Sequence, residues 1–318
     1  MPSDGEAHPW VVAGHTKVRF GVSPLGPIPD WEVFFGQVER IEQLGFDSFW
    51  WPDHPALFPD CWTVLTALAQ KTSSIRLGSA VSCIYYRPPG VLSRSAAEVD
   101  RLSNGRLVLG LGIGDLPFEF ARLGLDFPPV PVRLGALAET LQIVQGAWRA
   151  QPFSFQGEHY QADEIQISPP VQKPFVPVLI GGGGNRTLRQ AAQYADAVNF
   201  GPLPVVGGVA NPEGVEAKFN VLRGHCSSLG RSFDSILRTH YTLPLVIGRT
   251  STAAKEKLQR SNRPGSDFAV EGSVEEITEY YRALVKVGMR YFIVCPRPDD
   301  TETVELLASE IVPAVQVK

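Results

Sequence analysis

Cysteine is scarce in this chain. There are four in 318 residues (Cys61, Cys83, Cys226 and Cys295), with no C-x-x-C pair and no histidine at metal-ligand spacing from any of them. That excludes a disulfide-stapled scaffold and a zinc module, and no metal is expected. A basic excess is also missing: 29 Lys and Arg stand against 33 Asp and Glu, a formal net charge of −4, so nothing draws the chain to nucleic acid. No run of about 18 apolar residues suggests a membrane span. Residues 1–16 lack the apolar centre of a signal peptide; they read as a loose, flexible arm, and the expectation is a cytoplasmic protein. What the chain does have is 44% hydrophobic and only 19% charged residues, enough for a large core and too apolar for disorder.

From Lys17 onward, short β-rich runs alternate with amphipathic stretches. Candidate strands are Lys17 to Val22, Asp47 to Pro52, Ile75 to Ser82, Leu107 to Ile113, Val178 to Gly181, Ala197 to Phe200, Leu237 to Ile247 and Tyr291 to Cys295. Most are near-continuous apolar runs, as in parallel strands covered on both faces. Between them the apolar spacing changes to three and four, as at Phe34, Val38, Ile41 and Leu44. Eight β-then-α units without a dividing linker predict one (β/α)8 TIM barrel over residues 17–318, rather than two Rossmann-like halves. Three stretches interrupt the alternation and are expected at the C-terminal face, where lids and pocket walls lie. Leu116 to Val132 carries four prolines, Phe153 to Ile167 reads as a hairpin, and Arg249 to Gly272 is either a lid or disordered.

The strongest local signal is an apolar strand running into Gly181-Gly182-Gly183-Gly184 and directly into a helix through Asn185, Arg186 and Thr187. Glycines let backbone approach a ligand, and a helix N-terminus offers free N–H groups to a phosphate. The Walker lysine and the G-x-G-x-x-G spacing are both absent. A second signal is Asp53-His54 after the second strand, an acid and an imidazole where a barrel carries its chemistry. The alternative there is a loop pair that merely caps a turn. A third is Leu109-Gly110-Leu111-Gly112-Ile113-Gly114-Asp115. Its alternating glycines suggest a flat ligand against the backbone, with Asp115 above it and Glu119 beyond, facing solvent. His159 and His240 read as structural.

Taken in order, these segments resemble the bacterial-luciferase-like flavin and deazaflavin oxidoreductases. The resemblance is carried by Leu44-Gly45-Phe46-Asp47 leading to Asp53-His54, by Arg101 to Gly114, by Phe155 to Tyr160, and by Pro177 to Asn199. It implies a (β/α)8 barrel, often a homodimer, acting on a small-molecule substrate. Within that family the chain is most similar to the actinobacterial branch that uses the deazaflavin coenzyme F-420, with FMN as the alternative cofactor. The resemblance implies that Asp53 contacts the deazaflavin ring and that His54 is an acid/base. It gives the phosphate to Gly181, Gly182, Gly183, Gly184, Asn185, Arg186 and Thr187. It also implies a non-proline cis peptide behind the ring within Ser79-Ala80-Val81-Ser82, so that Ala80, Val81 and Ile113 line the ring.

Two departures bear on the substrate. Asp115 stands where sugar-phosphate dehydrogenases of the branch commonly carry glutamate, and Phe58 stands where they carry tryptophan. His54 and Asp115 are the candidates for proton transfer, and Arg186 and Lys173 for meeting the coenzyme's carboxylate tail. The primary reading is an F-420-dependent oxidoreductase of unidentified substrate. The competitors are an FMN-dependent monooxygenase supplied by a separate reductase, a non-catalytic flavin or deazaflavin carrier, and a metal-dependent barrel hydrolase that no histidine cluster supports.

Overall fold

The alternating runs resolve, in a computed structural model that describes residues 7–24, 26, 28, 30–261 and 268–316, into a closed parallel barrel. Its strands are β1 (Arg19–Val22), β2 (Ser48–Trp51), β3 (Arg76–Ser79), β4 (Leu107–Gly112), β5 (Val178–Gly181), β6 (Ala197–Phe200), β7 (Leu237–Thr242) and β8 (Tyr291–Val294). Each pairs in parallel with the next, and β8 returns to β1 with Arg19 opposite Tyr291. The barrel is therefore the expected TIM fold, its strands bounded within two residues of the sequence reading except at Ile75 to Ser82 and Leu237 to Ile247. The first ends as barrel strand at Ser79, and Ser82–Cys83 pairs separately with the end of β4. The second breaks at a cis Leu243–Pro244 bond into β7 and a strand Leu245–Gly248, which pairs with Val270–Ser273 outside the barrel. Proline lacks the N–H that a continuous ladder requires there.

The outer helices start where short polar side chains occupy the cap. Asp30, Asp60, Asn211 and Asp300 each accept an N–H from the first turn, and Ser273 forms a capping box with Glu276. The main apolar layer lies between these helices and the outward faces of the strands, as with Phe34, Val38 and Ile41 against Phe49 and Trp51. Inside the barrel, Trp50 fills the axis. A Cβ on Gly21 of β1 or Gly78 of β3 would lie 2.6 or 2.2 Å from its indole, so the flanking strands must carry glycine.

The stretch read as a loose arm is a helix from Pro9 to Thr16, and it closes the N-terminal end of the barrel. Trp10 and Val11 are buried, and the Trp10 ring lies 6.5 Å from Trp50 and 5.4 Å edge-on to Tyr291. The sequence reading missed it because the plug is only eight residues long and its two apolar anchors are adjacent, without helical period. Residues 1–6 lie outside the described residues.

His8 holds this plug. Its Nδ1 accepts the Trp10 N–H at 3.1 Å, so Nε2 carries the proton toward the Phe175 carbonyl at 3.0 Å. Burial pushes the His8 pKa from 6.5 down to about 4. A depressed folded-state pKa gives stability that is complete above pH 6.5 and is lost as the pH falls toward about 4. His8→Asn keeps a cap acceptor without the titration. Urea unfolding between pH 7 and pH 4 is expected to show the parent losing up to about 3 kcal/mol more than this variant. Parallel losses in the two proteins would contradict the assignment.

Of the three interruptions, Phe153–Gln156 and Gln161–Ile165 form the expected hairpin. Glu139 of the helix Val130–Ala147 docks it by accepting the N–H groups of Glu158, His159 and Tyr160. His159 sits against Gly135 of that helix, a structural place. His240 is fully buried, and burial lowers its pKa to about 4, again a structural imidazole. Arg249 to Gly272 contains the helix Ser251–Ser261 and the strand Val270–Ser273. The described part is thus ordered secondary structure rather than disorder, and 262–267 lie outside the described residues.

Candidate active site

Four segments leave the C-terminal ends of neighbouring strands on one face: Asp53-His54 after β2, Ala80 to Arg87 after β3, Ile113 to Glu119 after β4, and Gly182 to Thr187 after β5. The peptide between Ala80 and Val81 is cis, at the place the resemblance implied. It leads into a loop that serves Asp53. The Asp53 carboxylate is buried, and its Oδ2 accepts from Ser82 Oγ at 2.7 Å, from the Cys83 N–H at 3.3 Å and from Arg87 at 3.0 Å. The Arg87 guanidinium also grips Asp60, which caps the next helix. Burial raises the Asp53 pKa, and the Arg87 charge and the Ser82 hydroxyl work against that rise.

Removing Arg87 leaves this carboxylate buried with two neutral donors only. Arg87→Ala is expected to lower the unfolding free energy by about 3 kcal/mol, the scale of breaking a buried ion pair. Asp53→Asn in the same chain should recover most of it. Urea midpoints for the three variants check this, and an unchanged Arg87→Ala midpoint would show that the pair is solvated.

His54 does not cap a turn with its side chain. Its Nδ1 lies 2.8 Å from Glu119 Oε2, and that carboxylate is only 1% exposed against 30% for the imidazole. The expectation that Glu119 faces solvent is therefore wrong. Pro117 begins a six-residue helix, Pro117–Arg122, whose first turn drives Glu119 inward. Proline at the first helical position followed two residues later by glutamate was the available signal. It was hidden by the other prolines of the segment. Tyr86 donates to the same Oε2 at 3.1 Å, and the Ala56 N–H to Oε1 at 3.2 Å. Burial and the nearby acidic groups hold the Tyr86 phenol protonated. Phe58 packs at 6.4 Å from the imidazole. Sequence reasoning passed over Tyr86 and Arg87, an aromatic and a cation directly after the third strand.

The alternating glycines of β4 have a different cause from the one expected. A Cβ on Gly110 would lie 2.0 Å from the Ser79 carbonyl, and one on Gly112 2.6 Å from Val81. They make room for the neighbouring β3 segment, which by itself requires glycine at both positions. Val81 and Ala80, both half-buried, cap the interior cluster of the barrel, as does Tyr241, and so form its apolar floor at this face. Half-buried Ile113 follows the end of β4 and packs against the outer apolar layer, its carbonyl held by Arg133 at 3.2 Å. Arg133 also grips the Gly114 carbonyl and stacks over Phe127, so its guanidinium fixes the loop. Asp115, half-exposed, lies in the field of Arg133 and Cys83, on the same loop as Glu119 but outside its hydrogen-bond cluster.

Gly181 closes β5, and a Cβ there would lie 3.1 Å from the Val81 side chain. Gly182 takes a φ of +119, a conformation that favours glycine. Gly183 has no room for a side chain, because a Cβ would lie 2.3 Å from the Gly207 carbonyl. Gly184 is the N-cap of the helix Asn185–Tyr194, which has no side-chain cap. The first N–H groups of this helix therefore have no side-chain cap among the described residues, with Arg186 exposed and Thr187 half-buried in the first turn. Asn185 turns away to pair with His225 at 2.7 Å. Lys173 is excluded from this face. Its neighbour Gln172 bonds to Arg76, the first residue of β3, and to the carbonyl of Leu107, the first of β4, which places it at the opposite end of the barrel.

Among the described residues no group of His, Cys, Asp and Glu could hold a metal ion, and no helix is long and apolar enough to cross a membrane. A family model described as luciferase-like monooxygenase matches residues 12–282. The F-420-dependent glucose-6-phosphate dehydrogenase of Amycolatopsis mediterranei is 29% identical over 167 residues, 49% of each chain, so the match spans about half the length of that relative. The 5,10-methylenetetrahydromethanopterin reductase of Archaeoglobus fulgidus is 22% identical over 94% of this chain and 100% of its own. An F-420-dependent secondary alcohol dehydrogenase solved with an F-420–acetone adduct superposes with a TM-score of 0.81 at 18% identity, over 94% and 99% of the two chains.

Proposed function

We propose, from the premise that the chain belongs to the luciferase-like monooxygenase family, that it is an oxidoreductase moving hydride between coenzyme F-420 and a small organic substrate. One observation carries the reading: a buried carboxylate paired with a partly exposed imidazole shares one face of the barrel with an uncapped helix N-terminus, over an apolar floor of Ala80 and Val81. These residues fit a cofactor with a flat ring and a phosphate. The names of the relatives above, both in sequence and in structure, support F-420 as that cofactor.

When bound, coenzyme F-420 supplies hydride donor or acceptor chemistry at C5 of its ring. The chain's own residues position the reactants and handle the proton. The N–H groups of Gly184, Arg186 and Thr187 hold the phosphate, and Gly182 and Gly183 give the loop its shape. Arg186 meets acidic parts of the cofactor. Asp53, fixed by Arg87 and Ser82, would contact the ring, and Ala80, Val81 and Ile113 would line it. His54 gives or takes the substrate proton, with Asp115 as the second candidate. Among the described residues at the mouth, Arg87 and Arg133 are occupied by carboxylates and carbonyls, which supports a substrate other than a sugar phosphate.

The family description itself favours a second reading, in which reduced FMN activates O2 at the same site. The two are separated by labelling. Deuterium at C5 of reduced F-420 should appear in the substrate, with no oxygen consumed in air. Oxygen uptake with reduced FMN, and no deuterium transfer, would overturn the first reading.

A further inference from the structure

We infer that Glu119 is the positioning residue for His54, fixing which imidazole nitrogen carries the proton and which one faces the mouth of the barrel. The inference rests on the proposed role of His54, but its geometry stands apart from any cofactor.

The hydrogen-bond inventory sets the arrangement. The Ala56 N–H can only donate, so Glu119 Oε1 accepts at 3.2 Å. The Tyr86 hydroxyl, kept protonated by its surroundings, donates to Oε2 at 3.1 Å. His54 Nδ1 meets that same Oε2 at 2.8 Å. A carboxylate satisfies all three by accepting, which puts the histidine proton on Nδ1 and leaves the Nε2 lone pair toward the exposed side of the ring. The His54 side chain is 30% exposed while Glu119 is 1% exposed, so solvent and substrate reach the imidazole from the side away from Glu119. Glu119 also fixes the turn that carries the ring. The Leu57 and Phe58 N–H groups return to the His54 carbonyl, and the N–H of Ala56, just before them in sequence, goes to Glu119. One carboxylate therefore ties the backbone and the side chain of the same turn. Any proton that passes between His54 and a substrate uses Nε2, and the imidazolium formed there sits against a buried negative charge.

Glu119→Gln tests this because its outcome is dictated by the same inventory. The Ala56 N–H requires the amide oxygen on its side, which turns the amide NH2 toward His54 and Tyr86. Nδ1 must then accept, and the proton moves to Nε2. The shape of the pocket is kept while the tautomer is reversed. Long-range 15N–1H correlation spectra of the cofactor-free protein, labelled at histidine, read this directly. The expected result is His54 as the Nδ1–H tautomer in the parent and as the Nε2–H tautomer in Glu119→Gln. In the loaded enzyme the variant should lose about 10²–10⁴-fold in kcat, the scale of a general acid–base step, with KM and cofactor affinity within twofold. Combined with His54→Ala, it should be no slower than His54→Ala alone.

An unchanged tautomer in Glu119→Gln, or a parent already in the Nε2–H form, would overturn the inference whatever the cofactor proves to be. A reversed tautomer with unchanged kcat would keep the positioning geometry and remove His54 from proton transfer, so the two failures are told apart. Thermal unfolding of Glu119→Gln within a few degrees of the parent excludes collapse of the turn as the cause. Should that variant unfold early, Tyr86→Phe, which removes one donor and no charge, must leave the parent tautomer in place.

Discussion

Gly184→Asp is expected to lose F-420 affinity by at least about 100-fold, or about 2.7 kcal/mol, without any loss of stability. Gly184 sits at the N-cap with φ −66 and ψ 148, a conformation open to any residue, and a Cβ there meets nothing closer than Thr187 Oγ1 at 3.5 Å. An aspartate at that position accepts the free N–H groups itself. It therefore strengthens the helix by a few tenths of a kcal/mol while occupying and repelling the phosphate. Gly183→Ala, one residue earlier, is the contrasting case, because its Cβ would lie 2.3 Å from the Gly207 carbonyl and force the two loops apart. It should lose both stability and affinity. Fluorescence titration beside thermal unfolding separates the two, and full affinity in stable Gly184→Asp would remove the phosphate site.

The second large effect is on rate. His54→Ala should lower turnover about 10²–10⁴-fold, the usual cost of a lost general acid or base, with F-420 binding largely intact. Asp53 lies adjacent in sequence yet behaves differently. Its carboxylate is bound into the loop by Ser82, Cys83 and Arg87, so Asp53→Ala should weaken the cofactor more than it slows turnover. Steady-state kcat together with titrated Kd for both variants checks the division. Parent-like turnover in His54→Ala would leave it a turn residue.

Much of the barrel was legible because its strands are continuous apolar runs and its helices end at glycines such as Gly45 and Gly105, both at positive φ. The segments of the candidate site were legible for the same reason: they follow immediately on strand ends. What escaped the sequence was long-range and oriented inward. Glu119 is 65 residues from its histidine partner, and no local pattern announces a carboxylate turned into the protein. Gly110 and Gly112 were assigned to a ligand because the neighbour that needs the space, the Ser79 to Val81 segment, comes from another strand. The Pro9–Thr16 plug was missed because its apolar anchors pack on Trp50 and Tyr291, which only barrel closure brings together. Lys173 was misplaced for want of a face. A loop cation has no address until Gln172 beside it is tied to the strand starts.

Whether this barrel carries deazaflavin chemistry is tested most directly by titrating the purified protein side by side with F-420 and with FMN. Submicromolar binding of F-420 and no saturable binding of FMN are expected, with F-420 binding lost in Gly184→Asp. Tight FMN binding, oxygen consumption when that FMN is reduced, and no affinity for F-420 would contradict it.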